Sequence, residues 1–244
     1  MSLIAAKLRR KAGVLLRGGW RPVRDRYGLL KQNPAGFDGE TVRRAGFHGQ
    51  NGQDKWVVEK VFNQRRGGFF VDIGANNGID ISNTYYLEQQ LGWSGICVEP
   101  MPKVFAQLAQ NRKCICVQGC VAAQDGEAEF LEVEGNEMLS GLSSTLNQAH
   151  QERIVGHRIN KLKLPCFCLN TLLRQHQVKQ VDFMSIDTEG SEMEILRNYD
   201  WESIRIKALC VENTYHGDLL AELLYNRGYR LSTILSGDEI YVRV

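Results

Sequence analysis

The sequence predicts an α/β domain built on a doubly wound, mostly parallel seven-stranded sheet that ends in an antiparallel hairpin. Three observations point there. Short, continuous apolar runs alternate with helical ones, as expected of parallel strands covered on both faces. A small-residue loop follows directly on the first buried run, at Gly74-Ala75-Asn76-Asn77-Gly78. Near the C-terminus, two strand-like runs flank Ser236-Gly237-Asp238, which reads as a hairpin turn.

Each element has its own reason. Gly52-Gln53-Asp54-Lys55 opens an amphipathic run in which Trp56, Val57, Val58, Val61 and Phe62 have helical spacing. Arg65-Arg66-Gly67-Gly68 ends it, and Phe69-Phe70-Val71-Asp72-Ile73 follows as a buried strand. Further strands are expected at 95–99, 114–118, 181–187 and 206–212, with helices at 79–90, 102–111, 191–198 and 218–227. Residues 127–133 alternate polar and apolar and read as an extra strand.

The chain has 244 residues, 43% hydrophobic and 24% charged, with net charge +2. That composition excludes disorder as the main state. No apolar run is long enough for a spanning helix. Residues 1–31 carry nine Lys/Arg against one acid, so that segment is +8 and the remainder −6. The expected division is a basic extension at 1–46 and one domain at 47–244. The basic arm suits an anionic membrane, nucleic acid or an acidic partner, and equally a solvated leader. Charges interrupt the first apolar residues too early for a secretory signal. The seven cysteines include Cys114/Cys116 and Cys166/Cys168, each two apart in strand-like runs, which lacks the spacing of a zinc site. They read as reduced core thiols, and the expected location is cytoplasmic, with peripheral membrane contact through residues 1–31.

Gly74 and Gly78 permit tight turns and close approach of a ligand to backbone N–H groups. The middle glycine of a dinucleotide fingerprint is missing, and the D-x-G-x-x-x-G pattern from Asp72 suits S-adenosylmethionine instead. Asp72 then orients the loop or reaches the cofactor's amino-acid end, with Ala75 and Asn76 in the loop itself. The next strand ends at Glu99-Pro100, 21 positions after Gly78, where an acid can accept hydrogen bonds from both ribose hydroxyls. Val121, after the third strand, is expected to border the adenine.

Together these residues resemble the FkbM family of S-adenosylmethionine-dependent methyltransferases. The likeness runs from about Phe47 to the C-terminus. It is carried by Gly52-Gln53-Asp54, the loop from Val71 to Gly78, the segment from Gly92 to Pro100, and Ile186-Asp187-Thr188-Glu189-Gly190-Ser191-Glu192, close to a D-x-E-G-x-E signature. The resemblance implies the Rossmann-like class I methyltransferase fold and methyl transfer to a hydroxyl of a saccharide, polyketide or similar small acceptor.

The strand ends agree. Asp187 is expected beside the methyl donor, where a carboxylate stabilises positive charge or orients the acceptor. Glu212 and Asn213 lie at the next strand end, followed by His216. Asp187, Glu212 and Asn213 together are similar to the magnesium site of catechol O-methyltransferase, and three hard oxygen ligands suit Mg²⁺. Without a metal, Asp187, Glu212 or His216 is the expected base and Asn213 orients the acceptor. Residues 137–145 are a candidate lid, with His150, His157 and Arg158 on a helical-looking run behind it. A nicotinamide-dependent oxidoreductase and a non-catalytic cofactor-fold binding module are the alternatives. Nucleic acid is disfavoured as acceptor, because no base-flipping tetrapeptide or aromatic platform is visible.

Overall fold

The computed structural model describes residues 37, 39–146, 148–213 and 217–244. The strands are β1 (Phe69–Ile73), β2 (Ser94–Glu99), β3 (Ile115–Gln118), β4 (Cys120–Ala122), β5 (Gly126–Val133), β6 (Gly141–Leu142), β7 (Ile159–Cys168), β8 (Gln180–Ile186), β9 (Arg205–Glu212), β10 (Tyr229–Leu235) and β11 (Asp238–Arg243). The helices are α1 (Gly39–Arg44), α2 (Gln53–Trp56, running into a π-turn at Val57–Val61), α3 (Tyr85–Leu91), α4 (Pro102–Asn111), α5 (Gln148–Ile154), α6 (Leu169–Gln175), α7 (Glu192–Asn198) and α8 (Asp218–Asn226).

Seven strands form one sheet in the order β10-β11-β9-β8-β1-β2-β3. The five from β3 to β9 are parallel, whereas β11 runs antiparallel to both β9 and β10. This is the class I methyltransferase topology, with the terminal hairpin the sequence predicts. Because alternate strand residues point to opposite faces, β1 feeds two cores. Val71 and Ile73 join Ile96, Val98, Met184 and Ile186 under α6, α7 and α8. Phe70 joins Cys97, Phe183 and Ala208 on the other face, with Leu87 and Leu108. Val42, within the basic extension, is fully buried in that second cluster, so the packed chain reaches back through α1.

A second, four-stranded sheet has the order β4-β7-β5-β6. The sequence predicts its β5 strand and, through the strand-like run at Cys166/Cys168, the end of β7. The sheet lays Phe130, Leu142, Leu164 and Cys166 on Met101 and Val104, while Lys161 and Lys163 pair with Glu129 and Glu127 on its outer side. Two helical expectations need correction here. Residues 79–84 form an irregular stretch of bends, with a single bridge from Ile81 to Gly49, and α3 begins only at Tyr85, because the Asn77 and Ser82 side chains capture backbone N–H groups of Ile79, Asp80, Thr84 and Tyr85. His157 and Arg158 lie in the connection between α5 and β7, not on a helix. Among the described residues, no helix is long and apolar enough to cross a membrane.

Candidate active site

The chain order switches at β1, which has β2 on one side and β8 on the other, and the ends of these strands open a crevice. The cleft there has a volume of roughly 750 Å³ counting its open mouth. Gly74, Asn76, Glu99, Pro100, Val121 and Asp187 all line it. Six of the residues singled out from sequence therefore meet at one place. The second sheet contributes Phe130 and Leu142, and the candidate lid contributes Met138 and Ser140.

The glycine loop is pinned on both sides. Gly74 and Ala75 donate to the Val98 carbonyl, both at 3.0 Å, and Asp187 donates to the Ile73 carbonyl at 3.0 Å. Gly74 has φ +82°, and a Cβ there would lie 1.8 Å from the Asp187 carbonyl oxygen. Only glycine fits. Glu99 then organises the loop's far side. Its carboxylate accepts the N–H of Asn76 at 3.1 Å and of Met101 at 2.9 Å. Burial nevertheless pushes its pKa up to about 7.

Asp72, Ala75 and Gly78 lie elsewhere. Asp72 and Ala75 line a smaller cavity that shares Gly74, Asn76 and Asp187 with the cleft. Asp72 accepts a 2.5 Å hydrogen bond from Thr84, and burial raises its pKa. Gly78 lines neither cavity; a Cβ there would meet Leu108 and Arg112. Arg112 itself escaped sequence reasoning, since nothing local marks it. Its guanidinium is buried, paired with Glu88 at 2.5 Å, and donates to the Gly78 carbonyl at 3.1 Å and Thr84 at 3.1 Å. It is the strut under the loop.

Acids converge at the ends of β8 and β9. Asp187, Glu189 and Glu212 each offer an oxygen within 4.8 Å of the others, a set of hard donors able to hold a divalent cation. Burial, reinforced by Glu212, Asp238, Glu189 and Glu192, pushes Asp187 well above the ordinary carboxylate range. Burial and Glu212 push Glu189 up to about 8, against the opposing charge of Arg153. Glu189 lines the cleft, has φ +57°, and faces the buried His150 at 3.8 Å and Arg153 at 4.0 Å. Glu192 accepts from the Thr188 N–H and hydroxyl, both at 2.8 Å, and from the Gly190 N–H at 3.2 Å. The last acid of the signature therefore shapes the turn that presents the first two.

Glu212 reaches the site through this cluster without lining the cleft. Asn213 donates from its backbone to the Gly237 carbonyl in the hairpin turn and from its side chain to the Gly217 carbonyl just before α8, both at 2.9 Å. Glu189 joins Asp187 and Glu212 in this cluster, and the buried Oδ1 of Asn213, next in sequence to Glu212, has no hydrogen-bond partner among the described residues. His216 lies outside the described residues.

Residues 72–231 match the methyltransferase FkbM domain family. No curated protein matches the chain. Among solved structures, the FkbM methyltransferase of Methylobacillus flagellatus aligns at 11% identity and TM-score 0.44, over 73% of this chain and 44% of that one. Fibrillarin of Aeropyrum pernix, with natively bound S-adenosyl-L-methionine, aligns at 12% identity and TM-score 0.41, over 73% and 66%. A TehB-like methyltransferase of Corynebacterium glutamicum aligns at 12% identity and TM-score 0.37, over 83% and 90%. The chain thus spans less than half the length of the Methylobacillus protein. From the domain match, over most of its length, this chain belongs to the FkbM methyltransferase family.

Proposed function

We propose that the chain is an S-adenosylmethionine-dependent O-methyltransferase acting on a hydroxyl of a saccharide or similar polyhydroxylated small molecule. The observation that carries this reading is the meeting of Gly74, Asn76, Glu99 and Val121 with Asp187 and Glu189 in one cleft. Glu99 accepts from the ribose hydroxyls on the lone pairs its two backbone partners leave free. Val121 and Met101 supply an apolar bed for the adenine, and the cavity beside Asp72 and Asn83 takes the amino-acid end.

S-adenosylmethionine supplies an electrophilic methyl group on a sulfonium sulfur. For in-line transfer the protein has mainly to position the acceptor and exclude water. Met138, Ser140 and Leu142 close one side of the cleft for that purpose. Asp187 and Glu189 hold acceptor hydroxyls, and Asp187 takes the proton released on transfer. The carboxylate triad also suits Mg²⁺, which would add Lewis acidity at the acceptor oxygen. Incubation with tritium-methyl S-adenosylmethionine and small-molecule extract, with Mg²⁺ or chelator, tests the acceptor class. Label in alkali-stable methyl ethers of hydroxylated compounds is expected. Label confined to amines or to nucleic acid would overturn the assignment.

A further inference from the structure

Three thiols, Cys97 on β2, Cys114 just before β3 and Cys116 on β3, lie beside β1 and its glycine loop, and the proposed chemistry uses none of them. Cys97 stands opposite Asp72 on one side and Cys116 on the other. Cys97 is fully buried, whereas Cys114 is partly exposed. Their Sγ atoms are 3.5 Å apart. Cys116 turns away, toward the Cys114 carbonyl. From this geometry we infer that Cys114 and Cys97 are a peroxide-sensitive thiol pair, whose oxidation to a disulfide loosens the glycine loop.

The division of labour follows from the surroundings. The contact with Cys97, helped by the Arg112 guanidinium, holds the Cys114 thiol below its ordinary pKa, and burial holds Cys97 far above. Cys114, the partly exposed partner, is the more readily ionised of the two. Cys114 thiolate attacks the O–O bond of hydrogen peroxide, forming a sulfenic acid and releasing hydroxide, which leaves as water on protonation. The Cys97 thiol then gives up its proton and attacks the Cys114 sulfur. The S–O bond breaks, the S–S bond forms, and the second oxygen leaves as water. Both sulfurs are oxidised by one electron each and the peroxide is reduced.

The consequence runs through Arg112, two residues before Cys114. Drawing the Cys114 sulfur from its 3.5 Å hydrogen bond into a covalent bond with Cys97 shifts the segment that carries the guanidinium. That guanidinium holds the Gly78 carbonyl and Thr84, and Thr84 in turn holds Asp72. The loop amides lose their support at one end. The effect on ligand rests on the cofactor reading above; the disulfide and the loosening do not.

The test treats the full chain with stoichiometric hydrogen peroxide, followed by peptide mapping and amide exchange across residues 74–78, before and after dithiothreitol. A Cys97–Cys114 link, faster exchange of the loop amides and reversal by dithiothreitol are expected, with Cys114→Ser resisting both changes. S-adenosylhomocysteine affinity should fall by about tenfold in the oxidised wild type. A link between Cys120 and Cys166, irreversible oxidation of Cys114, or no reaction would overturn the pair. The link with unchanged loop exchange would overturn its coupling to the site. Absence of S-adenosylhomocysteine binding by the reduced protein would count against the proposed function alone, since mapping and exchange still decide the thiol pair.

Discussion

Glu99 accepts the backbone N–H of Asn76 at 3.1 Å, joining the end of the second strand to the loop that follows the first. The residue expected to hold the ribose therefore also shapes the turn beneath it. Replacement by Ala strips both Asn76 and Met101 of their acceptor, whereas Gln keeps one carbonyl oxygen. Glu99→Ala should weaken S-adenosylhomocysteine binding by about 2–3 kcal/mol, with Glu99→Gln intermediate, by calorimetric titration. Equal affinity in all three proteins would remove Glu99 from the site.

The same carboxyl has its pKa pushed up to about 7 by burial. The ionised form is the better acceptor for two ribose hydroxyls. Affinity for S-adenosylhomocysteine should therefore weaken as pH falls through about 7 and level off above about 8. A pH-independent dissociation constant across that range would contradict the role.

Gly74→Ala is the most severe loop substitution the structure allows one to name. Its Cβ would fall 1.8 Å from a backbone oxygen at φ +82°. Neither the strand end carrying Asp187 nor the loop can retreat without breaking its hydrogen bonds to the neighbouring strand. A loss of more than about 2 kcal/mol in urea unfolding is expected, together with loss of ligand binding. A midpoint within error of wild type would mean that the two strand ends leave room for a side chain at this position.

Arg112→Met tests the strut. It leaves Glu88 buried without its guanidinium and frees the Gly78 carbonyl. Breaking a buried pair from one side costs about 3–5 kcal/mol, which unfolding curves would register directly. Unaltered stability with intact binding would show that the loop stands without it.

Several buried acids share one pH consequence. Burial raises Asp238 to about 6, Glu99 to about 7 and Glu189 to about 8, above their unfolded values. The folded chain then binds more protons than the unfolded chain between these values. This contribution is fully present below the unfolded pKa and is lost as pH rises through the folded one. Without ligand, the urea midpoint should fall from about pH 5 to about pH 8. A midpoint rising over that interval would contradict the raised pKa values of these three acids.

Much of the site was legible because its residues end buried strands. Phe69–Ile73 is apolar but for Asp72, the glycine loop follows directly on it, and Glu99 closes the next buried strand. Lys161 and Lys163 made β7 harder to see, although the alternation of Leu162, Leu164 and Cys166 was present. That strand faces solvent on one side, so it lacks the apolar density of a central one. β6 has only two residues and depends on its partner β5. Arg112 and Glu192 act through partners 24 residues away and four residues away respectively, at a geometry only the folded chain provides. The start of α3 was misplaced because helical periodicity continues through residues whose backbone is captured by Asn77 and Ser82.

The most direct measurement is calorimetric titration of the purified chain with S-adenosylhomocysteine, with NAD⁺ as control. Saturable binding of S-adenosylhomocysteine at one site, weakened in Glu99→Ala, with no heat from NAD⁺, is the expected result. Binding of NAD⁺ instead, or of neither ligand by a folded protein, would contradict the assignment of the cleft to a methyl donor.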